Sequence, residues 1–63
     1  MTSIERFNNK LVKKLAKQLE SKKSVFVSFE DYSGSEKDFE KALEMNGLDW
    51  EEKYGGNFKV VNK

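Results

Sequence analysis

The sequence contains no cysteine, no histidine and no proline among its 63 residues. Most catalysis near neutral pH uses imidazole or thiol groups as base, nucleophile or soft metal ligand. Their absence excludes Ser-His-Asp and Cys-His constellations, zinc sites built on thiolate or imidazole, and any disulfide framework. We therefore predict a protein that is not an enzyme, holds no metal or cofactor and has no small-molecule substrate.

The chain is also short of apolar residues: 37% are hydrophobic and another 37% are charged. This composition predicts one domain, residues 1–63, with a modest core. For a chain of this size, apolar burial and lost chain entropy nearly cancel. We expect either an unusually efficient core or burial shared with a second copy or another protein, and we predict a homodimer.

Long hydrophobic runs are absent as well. No segment approaches the roughly 18 apolar residues that a membrane span requires, and residues 1–23 lack the uninterrupted apolar region of a signal peptide. Without cysteine, the composition fits a reducing compartment. We predict a cytoplasmic protein without a membrane partner.

The first twenty residues have the periodicity of an amphipathic helix, which we predict from Ser3 to Glu20. At 100° per residue, the apolar side chains fall in one arc of about 140°. They are Ile4, Phe7, Leu11, Val12, Leu15 and Leu19, with Ala16 at the margin. Ser3 is the predicted N-cap, and because Arg6 lies three residues later we expect no capping box.

A strand and a second helix follow. Residues 24–30 are rich in β-branched and aromatic residues, which predicts a strand with Val25, Val27 and Phe29 on one face and Phe26 on the other. Residues 31–34 form a predicted turn. Ser35 is the predicted N-cap of a second helix. We expect this helix to end just before Gly47, because glycine is suited to the left-handed conformation that follows a helix.

Residues 49–54 are compatible with two structures, a short helical turn or the first strand of a hairpin through Gly55-Gly56. We favour the hairpin. A two-residue turn would place Trp50 opposite Val61 and Glu52 opposite Lys59, whereas a three-residue turn would place Tyr54 opposite Phe58 and Lys53 opposite Lys59.

These elements predict the α+β class: a small two-layer sandwich of order α-β-α-β(-β). Two helices pack on one face of a two- or three-stranded sheet. Such a sheet keeps open edges, and pairing across a two-fold axis would cover one edge and enlarge the core.

Charge is distributed unevenly along the chain. Residues 1–23 carry a net charge of about +5 and residues 24–63 about −4, although the total is only +1. The basic residues of the first helix fall opposite its apolar arc; they are Arg6, Lys10, Lys13, Lys14 and Lys17. They are either an ordinary solvated face or a surface for nucleic acid. We favour the solvated face, because lysine lacks the planar fork that suits phosphate and base recognition.

Four aromatic residues are candidates for contact with a protein. Trp50, Tyr54 and Phe58 cluster near the C-terminus and could form an exposed anchor patch, or Trp50 could simply cover the core. Phe26 faces away from Val25 and Val27, where a sheet covered on one side leaves it exposed. Glu51 and Glu52 lie beside Trp50 and argue against nucleic acid at this patch.

The sequence therefore favours a non-enzymatic binding or regulatory module that acts through a protein partner. Its size is that of phage- or plasmid-type accessory proteins. The alternative hypothesis is a nucleic-acid-binding protein that uses the basic face of the first helix.

Overall fold

The computed structural model describes residues 2–62. Along the chain, helix α1 spans Ser3–Gln18, strand β1 Ser24–Val27, helix α2 Glu36–Met45, strand β2 Leu48–Lys53 and strand β3 Asn57–Asn62. The three strands form an antiparallel sheet in the order β1-β3-β2. The predicted class is confirmed: this is an α+β sandwich whose two helices cover one face of the sheet. Within residues 2–62, neither helix is long and apolar enough to cross a membrane.

Helix α1 is confirmed as amphipathic, but its predicted cap was wrong. Thr2 is the N-cap: its hydroxyl accepts from the N–H of Glu5 at 3.2 Å, and the Glu5 carboxylate accepts from the N–H of Thr2 at 3.2 Å. This reciprocal pair is a capping box. The prediction missed it because it took Ser3, one residue later, as the N-cap. Hydrogen bonds from Thr2 to the Glu5 carboxylate hold its pKa below the ordinary value.

The buried stripe of α1 is also rotated from the predicted arc. Val12, Leu15 and Leu19 are buried as expected, but Ile4 and Phe7 are exposed and Asn8 is fully buried. The reason is the loop after β1. Asn8 donates from Nδ2 to the Ser33 carbonyl at 2.8 Å and accepts from the Ser33 N–H at 2.7 Å, so the amide turns inward.

Strand β1 ends at Val27, three residues before the predicted end. The N–H of Ser28 donates to Asp31 Oδ2 at 3.0 Å, and the N–H of Phe29 donates to Asn57 Oδ1 at 3.2 Å. Side-chain oxygens thus accept hydrogen bonds from the N–H groups that a longer strand would use for pairing, and the chain turns towards α2.

The limits of α2 are confirmed. Ser35 is the N-cap, and its N–H donates to Asp38 Oδ2 at 2.8 Å. Gly47 follows the helix with φ of +70°, a conformation that glycine adopts without the steric cost of a Cβ.

The hairpin is confirmed, but both registers considered from the sequence were wrong. Lys53 lies opposite Asn57, Glu51 opposite Lys59 and Trp50 opposite Val60, around the loop Tyr54-Gly55-Gly56. Opposite residues share a face of the sheet. This register therefore places Trp50 on the helix-covered face with the buried Val60, whereas the two-residue turn would have separated them.

The core lies between the sheet and the helices. An aromatic group stands at its centre: the Tyr32 ring stacks on Phe39 at 4.6 Å between centroids and meets Phe58 edge-on at 5.6 Å. The buried apolar residues are Val12, Leu15, Leu19, Val27, Tyr32, Phe39, Ala42, Leu43, Leu48, Phe58 and Val60. The Tyr32 hydroxyl donates to the Gly56 carbonyl at 2.7 Å and ties the loop before α2 to the hairpin.

Candidate protein-interaction surface

The four aromatic residues predicted to contact a protein do not share one surface. Phe58 is fully buried in the core, because its register on β3 points it at the helices. Trp50 is half-buried on the same face and packs against that core. Tyr54 is 99% exposed in the hairpin loop, and Phe26 is 70% exposed on the opposite face of the sheet. Phe26 and Tyr54 are therefore the two that a partner could reach.

Phe26 belongs to an edge strand that carries no charge. Within residues 2–62, β1 pairs only with β3, so its second edge has no strand beside it. Residues 24–29 read Ser-Val-Phe-Val-Ser-Phe, without a charged residue or proline. Natural edge strands are usually protected by such residues, because an open edge invites pairing with another chain. We name Ser24–Val27, with the following Phe29, the β1 edge.

Phe29 adds a second exposed ring to the β1 edge. The sequence predicted it beside Val25 and Val27 on the covered face, but the strand has already ended and the ring is 59% exposed. The sequence contains a local signal for this early strand end: Ser28 and Asp31 both favour hydrogen bonds between side chain and backbone, which compete with strand pairing. Next to Phe26, an open groove of about 430 Å³ extends towards the hairpin and is lined by Phe26, Val27, Ser28, Asp31, Lys53 and Asn57.

The other edge of the sheet, β2, is protected by charge. Asp49, Glu51 and Lys53 alternate along it on the face that the helices leave open. Lys53 Nζ contacts Glu51 Oε1 at 2.8 Å, and Lys59 lies opposite Glu51 on β3. The hydrogen bond from Lys53, with the charges of Lys53 and Lys59, lowers the pKa of Glu51. The two edges thus differ sharply in their readiness to accept another strand.

The basic residues named for the alternative hypothesis of nucleic-acid binding are exposed together on α1. They are Arg6, Lys10, Lys13, Lys14 and Lys17, which we name the basic surface. Between residues 2 and 62 the ion pairs are Lys41–Glu5 and Lys53–Glu51, so the acidic half of the chain does not neutralise this surface. Phe7, exposed beside it, lines an open depression of about 330 Å³ with Arg6, Asn9, Lys10 and Lys13.

A cluster of carboxylates lies where α2 meets the hairpin. A hydrogen bond between Glu52 and Glu36 raises the pKa of Glu52 above its ordinary value of 4.5, and the charges of Glu36 and Glu40 raise it further. Burial, followed by the charges of Glu36, Glu52 and Glu40, raises the pKa of the Tyr32 hydroxyl. Glu52 and Tyr32 therefore both lie beside the negative charges of Glu36 and Glu40.

Glu52 and Glu51 are neighbours with opposite pKa shifts, so their glutamine variants are expected to change stability in opposite directions. The raised pKa of Glu52 means that its contribution is fully present below about pH 4.5 and is lost as pH rises through the folded pKa. Glu52→Gln is therefore expected to raise Tm at pH 7 and to have little effect near pH 3. The lowered pKa of Glu51 means that its contribution is present above about pH 4.5 and is lost at lower pH. Glu51→Gln is expected to lower Tm at pH 7 and to have little effect near pH 3.

Thermal unfolding followed by circular dichroism from pH 3 to pH 8 measures both variants. Because the two side chains are exposed, the shifts should be small, and their opposite sign at pH 7 is the decisive observation. Equal shifts of the same sign would contradict the arrangement of charges described above.

No three Asp or Glu side chains within residues 2–62 lie close enough together to hold a metal ion. That the protein is not an enzyme and takes no cofactor stays a prediction. Comparisons with protein-family models, with curated proteins and with solved structures found no match to this chain, and its function is inferred from its own surfaces.

Proposed function

We propose that this protein is a non-enzymatic binding module that attaches to a protein partner through the β1 edge. The observation that carries the proposal is the contrast between the two edges of the sheet. The β2 edge is lined with charge, whereas the β1 edge is uncharged and carries two exposed rings, Phe26 and Phe29.

The chemistry of an open edge supports a polypeptide as the ligand. Main-chain N–H and C=O groups along an edge form hydrogen bonds with an extended segment, which supplies affinity. Side chains on alternate positions supply specificity, and Phe26 is the exposed side chain that an added strand would meet on the face that the helices leave open. A binding role also agrees with the absence of imidazole and thiol groups from the sequence.

Position-specific photocross-linking tests this function. A photoreactive phenylalanine analogue is placed at position 26 and, as the matched control, at position 54, which is also aromatic and more exposed. We expect irradiation to join position 26, but not position 54, to a second polypeptide, with or without nuclease treatment. We also expect amide hydrogen exchange to slow at Ser24–Val27 in the complex, and not along β2.

The other outcomes have defined meanings. Equal cross-linking from both positions, or unchanged exchange along β1, would overturn strand addition at this edge. The basic surface is the second candidate, favoured by the exposed Phe7 among its cations. It would replace the first if position 26 yields no cross-link and the protein binds labelled single-stranded RNA. That binding should weaken steeply with salt and disappear when Lys13 and Lys17 are reversed to glutamate.

A further inference from the structure

We propose that the occupant of the β1 edge is a second copy of this chain, paired antiparallel to the first and centred on Phe26. This inference rests on the proposed function, since it uses the same edge and names the partner. It joins the two sheets into one of six strands.

The sequence around β1 is complementary to itself in the antiparallel direction. Residues 22–31 read Lys-Lys-Ser-Val-Phe-Val-Ser-Phe-Glu-Asp. When Phe26 faces Phe26 of the second copy, Val25 lies opposite Val27 and Ser24 opposite Ser28. Within these five positions each residue meets one of matching character.

Outside these five positions the chain leaves the strand on both sides: Lys22 lies in the turn that follows α1, and Glu30 lies in the turn formed by Ser28–Asp31. The antiparallel arrangement brings the end with Lys22 and Lys23 of one copy beside the end with Glu30 and Asp31 of the other, and these charges attract.

The faces of the sheet agree with this register. Directly opposite residues lie on the same face of a sheet. Val25 and Val27 face the helices, whereas Phe26 faces away from them. A register centred on Phe26 keeps both pairs of helices on one side and extends cover over Val25, which one copy leaves half-buried. A shift by one residue would place Phe26 opposite Val27 and put the helices on opposite sides.

Charge favours this pairing over the alternatives. Lys22 and Glu30 are exposed, and within residues 2–62 neither belongs to an ion pair of its own chain. Strand β2 carries three carboxylates, Asp49, Glu51 and Glu52, against the one cation Lys53, so self-pairing along it would concentrate negative charge. The net charge of +1 leaves little overall repulsion between two copies.

A charge-exchange experiment tests the pairing. Sedimentation equilibrium of the purified full chain, up to about 1 mM, detects even a dimer with a Kd of about 1 mM. Lys22→Glu alone brings glutamate beside the Glu30 end of the other copy twice in each dimer, and Glu30→Lys alone brings lysine beside the Lys22 end twice. We expect each variant to dimerise about tenfold more weakly than the parent at low salt.

Mixing the two variants should restore the association. In a dimer of one Lys22→Glu chain and one Glu30→Lys chain, both charge pairs are again attractive. Lys37→Glu is the matched control, because it changes the net charge equally from an exposed position on α2 and should leave the dimer intact. Phe26→Ser should weaken the dimer without changing the circular dichroism of the monomer.

The results separate this inference from the proposed function. A chain that stays monomeric at about 1 mM, but cross-links from position 26 to a different protein, would overturn the second copy as occupant and leave the proposed function standing. A dimer that neither Phe26→Ser nor the charge variants weaken would place the contact elsewhere and overturn the inference. Failure of the mixture to associate more strongly than its components would overturn the antiparallel placement of the Lys22 end beside the Glu30 end.

Discussion

Replacing Phe58 with alanine is expected to leave most of the protein unfolded at 25 °C. Phe58 is fully buried, and its ring centroid lies 5.2 Å from that of Phe39 and 5.6 Å from that of Tyr32. Truncating a buried phenylalanine costs about 3–5 kcal/mol of unfolding free energy. A core in a chain this short supplies a net stability of no more than about 3–5 kcal/mol, so the free energy of unfolding of the variant falls to zero or below.

Urea unfolding followed by circular dichroism measures this loss. Tyr54→Ala is the matched control, because Tyr54 lies four residues earlier and is 99% exposed. Its unfolding free energy should change by less than about 0.5 kcal/mol. A Phe58→Ala variant that unfolds cooperatively at the parent's urea midpoint would show that Phe58 is not the centre of the core.

The helices and the existence of the hairpin could be predicted because their signals are local. The apolar period of α1 and the Ser35 and Gly47 caps of α2 each depend on a few neighbouring residues. The hairpin register could not be predicted, because two adjacent glycines permit several loop lengths. The choice among them depends on which residues the helices cover. That choice places Phe58 in the core, although the sequence presented it as a candidate for surface contact.

The candidate surface was predictable in part for the same reason. Phe26 follows from the alternation of side chains along a short strand, and its exposure agrees with that pattern. Phe29 was placed on the wrong face because the strand ends early. One of the hydrogen bonds that end it is donated by the Phe29 N–H to Oδ1 of Asn57, 28 residues away along the chain. The uncharged edge itself depends on the strand order, since β1 lies at an edge only because β3 takes the centre.

Asn8 is the residue whose importance the sequence concealed most completely. A polar side chain on an amphipathic helix is expected to face solvent. Here it lies 0% exposed, because the backbone of Ser33, 25 residues later, presents both a donor and an acceptor to it. The asparagine amide, with its N–H₂ and C=O groups, matches both partners at once.

Replacing Asn8 with alanine is therefore expected to lower the unfolding free energy by about 2–4 kcal/mol. The substitution removes both hydrogen bonds and leaves the N–H and C=O of Ser33 without a side-chain partner beside the core. Asn9→Ala is the control, since it makes the same change in helix propensity one residue later on α1. Asn9 accepts one hydrogen bond, from Asn46 at 2.7 Å, so about 0.5–1.5 kcal/mol is expected.

Urea unfolding gives both free energies, and amide exchange at Ser33 identifies the cause. In Asn8→Ala, the Ser33 amide should exchange faster by a larger factor than amides in the centre of β3, because its own hydrogen bond is lost in addition to global stability. Equal costs for Asn8→Ala and Asn9→Ala, or an unchanged rate at Ser33, would contradict the role assigned to Asn8. A large cost confined to Asn8 would show that one buried amide holds the loop between β1 and α2 against α1.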